Sequence, residues 1–325
     1  MKKLVLRNVG ADEIACFHRD GVVQLKNILS LQAVNRLRRT IDRAVCHSGE
    51  SSTAYNLTAI ADTIENGAVA SLDAMSDGQH NIMALAQTIE QSGRNLLRDQ
   101  RNDALKNGSY FLESAVAEKS RDFRALALNT ALGEIAGSLI KSSTVRFHDD
   151  QVFVKEPGCI DHTAFHQDSS YFEFEGEQAC VMWICVDPAN EETGALSYVR
   201  GSHRQTRRFK PNTFISMSGF PGSEGDDLPD NAEIESWPET IQYQSEPGDI
   251  VVHHYKTLHG ATGNRSRYQV RRAASFRYFG DDARYTPKSY VPQRHWHTHD
   301  LKEGDPMHAA CFPLVWEKAA QDEAA

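Results

Sequence analysis

The chain has 325 residues, of which 40% are hydrophobic, and a formal net charge of −9 at pH 7. This length and apolar share allow one large β-rich domain with helical additions and a substantial core. The negative charge argues against nucleic acid as a partner, because phosphate binding needs basic patches. We expect a cytoplasmic protein, since no stretch has the roughly 18 apolar residues of a membrane span and the N-terminus lacks the apolar segment of a signal peptide.

Residues 1–142 are predicted to be mostly helical. A first helix ends at Gly21, a residue type that commonly terminates helices, and the run GVVQLKN then predicts a short strand. Ser30 can cap a second helix, whose apolar residues recur at steps of three and four. A third amphipathic helix is predicted from about residue 120 to 140. The polar stretch 50–110 has no clean period, and we interpret it as an irregular insertion or lid-like region.

The pattern changes after Thr144. Short β-rich runs, each ended by Gly, Pro or Asp, follow one another without intervening helices through residues 143–285. This order favours a sandwich or barrel over a parallel α/β sheet. Residues 286–325 are interpreted as a C-terminal extension, and the whole chain 1–325 as one domain.

A histidine and an aspartate lie two positions apart in the run TAFHQDSSYF, at His166 and Asp168. In a strand, residues i and i+2 point to the same face, with Cα atoms roughly 6–7 Å apart. One imidazole and one carboxylate would then project together and could bind a single metal ion. The H-x-D pattern alone is weak, because polar strand ends at a surface look the same, so a third ligand is required.

The segment VVHHYKTLHGATGN supplies candidates for the third ligand. His259 is preferred, because it follows an apolar strand and precedes Gly260, where a turn could direct it inward. His254 is the competitor, and we expect it to be a packed histidine or to support a ligand. Two histidines and one carboxylate with open positions form the ligand set of non-haem Fe(II) oxygenases. A zinc hydrolase stays open on ligand chemistry alone.

An arginine follows in the strand VRRAASFRY. Arg271, Ala273 and Ser275 lie on one face of this strand. An arginine that faces a barrel interior is costly unless it pairs with an anion. A carboxylate co-substrate would supply two parallel hydrogen bonds, and the Ser275 hydroxyl could add another. An internal salt bridge to Asp or Glu is the alternative.

Three segments in this order resemble the phytanoyl-CoA dioxygenase family: HQD at 166–168, WICVDPANEETGALSYVRGSHR at 183–204, and PGDIVVHHYKTLHGATGN followed by RRAASFRY. The resemblance runs from about residue 12 to 290. It implies a double-stranded β-helix, a jelly-roll core of the cupin type. It also implies His166, Asp168 and His259 as iron ligands, and Arg271 as the residue that binds the C5 carboxylate of 2-oxoglutarate.

Other residues occupy positions where relatives line the cofactor pocket. The resemblance places four of them there: Gln151, Lys155, Gln167 and Trp183. Each could equally serve ordinary strand packing. The spacing from His259 to Arg271 is one residue longer than in some members, so Arg272 is the alternative carboxylate-binding residue. Ala261 stands where relatives often carry serine, which removes one co-substrate contact.

The resemblance implies an oxidoreductase, an Fe(II)- and 2-oxoglutarate-dependent dioxygenase that consumes O2. Such an enzyme hydroxylates, or otherwise oxidises, an unactivated C–H bond of a small organic substrate and releases succinate and CO2. Two alternatives stay open: a cupin-like metal-dependent hydrolase or isomerase that does not use 2-oxoglutarate, and a non-catalytic member that binds a ligand. We expect a small-molecule substrate and no nucleic-acid or membrane partner, while exposed sheet edges are compatible with a homodimer.

A second histidine-rich run, RHWHTHD, carries His295, His297 and His299 at strand spacing. This spacing could mimic a metal site. No carboxylate, turn and strand accompany it in the order found around His166, so we interpret it as an exposed loop near the pocket mouth.

Overall fold

The computed structural model describes residues 4–59, 108–212, 214–215, 223–288, 290 and 294–319. In these ranges the helices are α1 (Ala11–Asp20), α2 (Leu31–Cys46), α3 (Val116–Lys119), α4 (Arg121–Leu128), α5 (Leu132–Ile140) and α6 (Asn231–Glu235). The strands are β1 (Val22–Leu25), β2 (Ala54–Asn56), β3 (Tyr110–Ser114), β4 (Thr144–Lys155), β5 (Thr163–His166), β6 (Phe174–Glu175), β7 (Ala179–Cys185), β8 (Leu196–Val199), β9 (Thr240–Gln242), β10 (Ile250–His254), β11 (His259–Ala261), β12 (Arg271–Phe279), β13 (Arg284–Tyr285) and β14 (Leu314–Glu317).

Eight strands form a large antiparallel sheet in the order β1-β10-β7-β12-β4-β3-β2, with β14 also paired to β4. A smaller antiparallel sheet has the order β5-β11-β8-β9, and β6 pairs with β13 in a separate ribbon. Trp183, Val251 and Ala273 of the large sheet pack against Tyr198 of the small one. The two sheets thus face each other over a common interior, which confirms the predicted jelly-roll core.

The N-terminal helices cover the opposite face of the large sheet. Met182, Val252 and Phe276 point to that face and share one apolar core with helix residues such as Leu37 and Ile135. The large sheet therefore has a cavity face and a helix face, and successive residues of each strand alternate between them. Strands β1, β2 and β3 come from the N-terminal part of the chain and join the same sheet.

The first two helices confirm their predicted ends. Gly21 follows α1 with φ +75°, a conformation that glycine adopts without strain. The Ser30 side chain accepts a hydrogen bond from the Ala33 amide at the start of α2. The polar stretch 50–110 lies mostly outside the described residues, so its interpretation as a lid-like insertion stays a prediction.

The helix predicted from about 120 to 140 is wrong as a single element. It is broken into α4 and α5 between Leu128 and Leu132. The Thr130 hydroxyl donates to the Leu126 carbonyl at 2.8 Å and accepts from the Leu132 amide at 3.3 Å. Threonine thereby offers the backbone an alternative to helical hydrogen bonds, and the chain turns at that point.

Strand β4 contains a β-bulge. Asp149 is opposite Arg277 of β12, and Phe147 is opposite the next residue, Tyr278, so His148 has no partner across the ladder. As a result, Asp149 is on the cavity face whereas Phe147 packs on the helix face, although the two are separated by one residue. A bulge of this kind redirects the side chain of the extra residue.

Within the described part of the chain, no helix is long and apolar enough to cross a membrane.

Candidate metal centre

The three residues predicted as metal ligands come from the small sheet and the turn beside it. His166 is the last residue of β5, and His259 opens β11, where it pairs directly with His166 across the ladder. Asp168 does not extend the strand as expected; it begins a short 3₁₀ turn over Asp168–Ser170. The turn still brings the carboxylate to the two rings, so the ligand spacing survives the change in local structure.

Close packing of β11 against β5 explains the glycine that follows His259. A Cβ atom at Gly260 would lie 2.9 Å from both the Phe165 ring and the Thr163 carbonyl oxygen. Any larger residue would push the two strands apart and separate the histidines. The absence of a side chain at Gly260 thus allows β5 and β11, which carry the two histidines, to lie close together.

Hydrogen bonds fix the tautomer of both candidate ligand histidines. The Nδ1 atom of His166 is 2.8 Å from the Ala164 carbonyl oxygen, and that of His259 is 2.9 Å from the Thr257 carbonyl oxygen. A carbonyl only accepts, so each Nδ1 carries the proton and each Nε2 is left with a lone pair. Metal-binding histidines in proteins are commonly oriented in this way.

The Nε2 atoms of both histidines lie close to the Asp168 carboxylate. Its carboxylate oxygens lie 3.8 Å from His166 Nε2 and 3.9 Å from His259 Nε2, longer than hydrogen bonds. One ligand atom from each residue lies within 4.8 Å of the others, and all three side chains are buried. This spacing leaves room for one ion at the centre.

Burial sets the protonation states that a metal ion would require. Loss of solvent lowers the pKa of His166, and it lowers the pKa of His259 well below its usual value. For Asp168, burial favours the neutral acid, but the rings of His259, His253 and His166 lower its pKa below the usual range. Two neutral imidazoles and one carboxylate result, which is the form that binds a divalent cation.

His253 is a fourth residue of this centre; the sequence offered it beside His254 and His259 and gave it no role. Its Nε2 is 3.0 Å from the Asp168 carboxylate, a hydrogen bond that holds the carboxylate in place. His254, the residue weighed as a competing ligand, lies on the helix face, where its Nε2 donates to the Glu177 carbonyl oxygen at 2.8 Å. The alternation of VVHHY, with Val251 on the cavity face, was the available signal.

A cavity extends from the three candidate ligands between the two sheets. Its lining includes several residues predicted from sequence, namely His166, Asp168, His259, Arg271, Ser275, Gln151 and Trp183. The others are Tyr110, Phe153, Thr163, Val181, Leu196, Phe214, His253 and Arg277. The lining thus combines apolar and aromatic side chains with a set of polar and charged groups that converge on one point, as in small-molecule sites.

Arg271 is buried beside this cavity without a counter-charge. The guanidinium makes no side-chain hydrogen bond or ion pair within the described ranges, and its Nε is among the buried atoms that lack a partner. The Trp183 ring is 5.8 Å from its central carbon. Burial lowers the pKa of Arg271, although a guanidinium keeps its charge in proteins. An unpaired buried cation of this kind calls for an anionic ligand.

Arg272, the alternative to Arg271, is committed elsewhere. It faces the helices and pairs with Asp187 and with Asp42 of α2, each at 2.7 Å. Ser275 shares the cavity face with Arg271, and its buried hydroxyl also lacks a partner in the described structure. The free donors of β12 are therefore the ones that face the cavity.

The four further residues that the resemblance placed at the cofactor pocket divide into two groups. Gln151 and Trp183 line the cavity. Lys155 lies beside it and donates to the carbonyl oxygens of Asp161 and Thr262, each at 2.8 Å. Gln167 points away, since its amide donates to the Lys256 carbonyl oxygen at 2.9 Å. Lys155 and Gln167 therefore stabilise the local backbone, because their polar side-chain atoms bond to main-chain groups.

Arg277 is a second arginine at the cavity that the sequence reasoning missed. It follows Arg271 and Ser275 on the same face of β12, so strand alternation was the signal. One guanidinium nitrogen donates to Gln151 Oε1, and another lies 3.7 Å from an Asp149 carboxylate oxygen. Unlike Arg271, this arginine already has an anionic neighbour.

The histidine-rich run near the C-terminus is not uniformly exposed. His295 is exposed, as predicted, but the His297 side chain is only 3% exposed. Its Nε2 lies 2.9 Å from the His148 carbonyl oxygen. The exposed-loop interpretation is therefore wrong for His297, because the segment folds back over the bulge of β4.

These groups fit a divalent ion and a carboxylate ligand together. The two imidazoles and one carboxylate suit an ion that keeps open positions, and the unpaired donors of Arg271 and Ser275 suit an acid group. Fold and site thus define a jelly-roll protein with a two-histidine, one-carboxylate centre. The profile of the phytanoyl-CoA dioxygenase family (PhyH) matches residues 17–273. The chain belongs to this family.

Two curated relatives come from Caenorhabditis elegans. A probable phytanoyl-CoA dioxygenase is 28% identical over 118 residues, which cover 36% of this chain and 36% of that protein. A phytanoyl-CoA dioxygenase domain-containing protein 1 homolog is 19% identical over 194 residues, 58% of this chain and 64% of that one. The matched segments thus span about a third and somewhat under two thirds of these relatives.

Solved structures with the same fold cover nearly the whole chain. The epimerase SnoN, in complex with Fe3+, alpha ketoglutarate and nogalamycin RO, has a TM-score of 0.63 at 21% identity, covering 94% of this chain and 98% of its own. The carbocyclase SnoK has a TM-score of 0.62 at 21% identity, covering 97% and 100%. EctD from S. alaskensis, with 2-oxoglutarate and 5-hydroxyectoine, has a TM-score of 0.56 at 16% identity, covering 93% and 91%.

Proposed function

We propose that the protein is an Fe(II)- and 2-oxoglutarate-dependent dioxygenase that hydroxylates an unactivated C–H bond of a small organic substrate. The observation that carries this proposal is the unpaired, buried Arg271 on the wall of the cavity that holds the His166, Asp168 and His259 ligand atoms. A dicarboxylate that chelates the metal through one end needs a cation for its other carboxylate, and Arg271 could supply that cation.

Different residues would hold the iron and the 2-oxoglutarate. His166, Asp168 and His259 would hold the iron, with His253 orienting the carboxylate by its 3.0 Å hydrogen bond. When bound, the iron and 2-oxoglutarate supply the oxidising chemistry, in which O2 is consumed and succinate and CO2 are released. This part of the reaction belongs to the cofactor and co-substrate, so the protein's task is binding, orientation and exclusion of water.

Arg271 would bind the carboxylate of the co-substrate that lies away from the metal. A guanidinium can donate two parallel hydrogen bonds to a carboxylate, and the Ser275 hydroxyl is a further free donor on the same face. The Trp183 ring beside Arg271 limits water access and keeps the local dielectric low, which strengthens the ion pair. Ligand binding thereby removes the cost of the unpaired buried charge.

The remaining walls suit an organic substrate. Phe153, Val181, Leu196 and Phe214 supply an apolar surface that would position the target C–H bond and exclude water from it. The names of the solved relatives, an epimerase and a carbocyclase among them, are those of enzymes for small molecules. This supports a small metabolite as the substrate class.

The test is an anaerobic titration of the metal-free protein with Fe(II) and 2-oxoglutarate. We expect a visible metal-to-ligand charge-transfer band, its loss in Arg271→Ala at the same 2-oxoglutarate concentration, and its retention in the neighbouring control Arg272→Ala. Admission of O2 with a turned-over substrate should then yield one succinate per 2-oxoglutarate consumed.

Two results would redirect the assignment. Iron binding without a charge-transfer band would contradict 2-oxoglutarate use and favour the metal-dependent hydrolase or isomerase. A band that forms but gives no succinate after O2 is admitted, across a broad substrate panel, would favour a family member that only binds its ligands.

A further inference from the structure

A second cluster of two histidines and one carboxylate lies apart from the candidate iron centre. His148, Glu173 and His297 each offer one ligand atom, and these atoms lie within 4.8 Å of one another. His148 occupies the bulge of β4, Glu173 precedes β6, and His297 belongs to the C-terminal segment. Three parts of the chain that are distant in sequence thus meet at one point.

Four polar side-chain atoms of this cluster lack hydrogen-bond partners in the described structure. Both ring nitrogens of His148, Glu173 Oε2 and His297 Nδ1 are buried and unpartnered in the described structure. His148 is only 2% exposed, and its ring is surrounded by Phe172, Phe174 and Phe312. Each unsatisfied buried polar atom costs roughly 1–3 kcal/mol, so several together indicate a missing binding partner.

The tautomer of His297 directs a lone pair at the carboxylate. Its Nε2 must carry a proton, because it lies 2.9 Å from the His148 carbonyl oxygen. In the neutral ring, Nδ1 is then an acceptor that faces Glu173 Oε2, another acceptor, at 3.6 Å. That separation is too long for a hydrogen bond, yet it is close to the ~3.4 Å expected between two ligands of a tetrahedral zinc ion with bonds of ~2.1 Å.

A neighbouring arginine keeps Glu173 ionised, and burial keeps His148 neutral. The other oxygen of Glu173 pairs with Arg294 at 3.3 Å, and Arg294 also pairs with Asp149 at 3.0 Å. Burial opposes ionisation of Glu173, but the neighbouring Arg294 guanidinium lowers its pKa below the usual range. Burial, with a smaller effect from His297, lowers the pKa of His148 well below its usual value. A carboxylate and a neutral imidazole are ligand forms that metals require.

We propose that His148, Glu173 and His297 form a second metal site for a divalent transition ion of the zinc class, separate from the candidate iron centre. The ion would join the C-terminal segment to the bulge of β4 and to the chain before β6. Through Arg294 and Asp149 the same segment reaches Arg277 on the cavity wall. The site is therefore placed to fix the wall of the cavity while taking no part in the oxidation itself.

The experiment measures zinc binding in a His166→Ala/Asp168→Ala variant, which cannot form the iron centre. After equilibrium dialysis against Zn2+, elemental analysis should find one zinc per chain, and added Zn2+ should raise the melting temperature. Adding His297→Ala or Glu173→Gln to this background should weaken zinc binding at least 100-fold and abolish the thermal shift. His295→Ala is the matched control, since it removes an exposed imidazole from the same segment, and it should bind zinc like the parent.

Three results would overturn the proposal. One is a folded iron-centre variant that binds no zinc, since the cluster would then be an ion pair or a water site. Another is zinc that persists in both His297→Ala and Glu173→Gln, which would place the ion elsewhere. The third is equal loss in His295→Ala, which would assign the ion to the exposed histidines. None of these results bears on the iron centre, which is absent from every variant compared.

Discussion

On the cavity face of the large sheet, Arg271 has no ion-pair partner in the described structure, and His253 holds the Asp168 carboxylate. On the helix face, their chain neighbours Arg272 and His254 are satisfied by Asp187, by Asp42 and by the Glu177 carbonyl. An arginine and a histidine on the cavity face thus have different partners from the arginine and the histidine that follow them on the helix face. Polar side chains that find partners within the protein contribute to folding. A buried polar side chain without such a partner, like Arg271, is available to bind a ligand. Five matched experiments test this distinction.

The largest effect is expected for Asp168→Ala on the cavity face. Without the carboxylate, two imidazoles remain to hold the iron, so 2-oxoglutarate turnover should fall to background while circular dichroism and thermal unfolding stay near those of the wild type. Asp42→Ala, a carboxylate removed from the helix face, should keep full turnover. Near-normal turnover in Asp168→Ala would remove this residue from the metal site.

Arg271→Ala should raise the 2-oxoglutarate concentration for half-saturation by about 100-fold. Losing one partner of a buried, hydrogen-bonded charge pair costs 2–5 kcal/mol, and about 2.7 kcal/mol corresponds to that factor. Arg272→Ala should leave the value unchanged. Succinate formation measured against 2-oxoglutarate concentration separates the two, and equal responses of both variants would contradict the distinction between the faces.

His253→Leu should weaken Fe(II) affinity by about 10- to 100-fold, the range typical for the loss of a group that orients a metal ligand. The physical reason is the loss of the hydrogen bond to Asp168, which leaves the carboxylate free to rotate. His254→Leu serves as the control and should bind iron normally. Competition of each variant with a chromophoric chelator gives the Fe(II) affinities. An unaltered affinity in His253→Leu would show that His253 only packs in the core and does not orient Asp168.

The reverse ranking is expected for stability. Arg272→Ala should lower the free energy of unfolding of the metal-free protein by about 2 kcal/mol, since Asp187 is largely buried and loses its main partner. Arg271→Ala should leave that free energy unchanged or raise it, because an unpaired buried charge is removed. Urea denaturation of both proteins without metal or co-substrate provides the comparison. A larger loss in Arg271→Ala would mean that Arg271 has a structural partner.

The last prediction concerns pH and the helix face. Burial lowers the pKa of His254 to about 3, so its ring is neutral in the folded protein, while in the unfolded chain it protonates near pH 6.5. The unfolded state therefore binds the extra proton as pH falls from about 6.5 towards 3, and stability decreases over that window. His254→Gln should flatten the decrease by up to about 1.4 kcal/mol per pH unit in urea denaturation at pH 6.5, 5.5 and 4.5. An unchanged slope would show that His254 protonates equally in both states.

The sequence predicted the parts of the molecule that depend on local pattern. The first two helices follow from caps and apolar periodicity, and the candidate ligands His166, Asp168 and His259 lie close together as the motif spacing indicated. The choice between Arg271 and Arg272 needed the tertiary structure, because only burial and partners distinguish two adjacent arginines.

Other features could not be predicted, since they depend on contacts between distant segments. The break between α4 and α5 depends on the hydroxyl of Thr130, which competes with the helix backbone. The cluster of His148, Glu173 and His297 forms only because a bulge redirects one residue of β4. No period in the sequence marks that bulge.

The bulge at His148 also bears on how β4 tolerates changes in length. It shifts the alternation of the strand, so that Gln151 and Asp149 face the cavity while Phe147 joins the helix-side core. Deleting His148 would leave Asp149 opposite Arg277 and Phe147 opposite Tyr278, so regular pairing would be restored and both side chains would keep their faces. Deleting a residue elsewhere in β4 would instead exchange the faces of the residues on one side of the deletion. The ladder of β4 should therefore tolerate a one-residue deletion at His148 better than one at any other position of the strand.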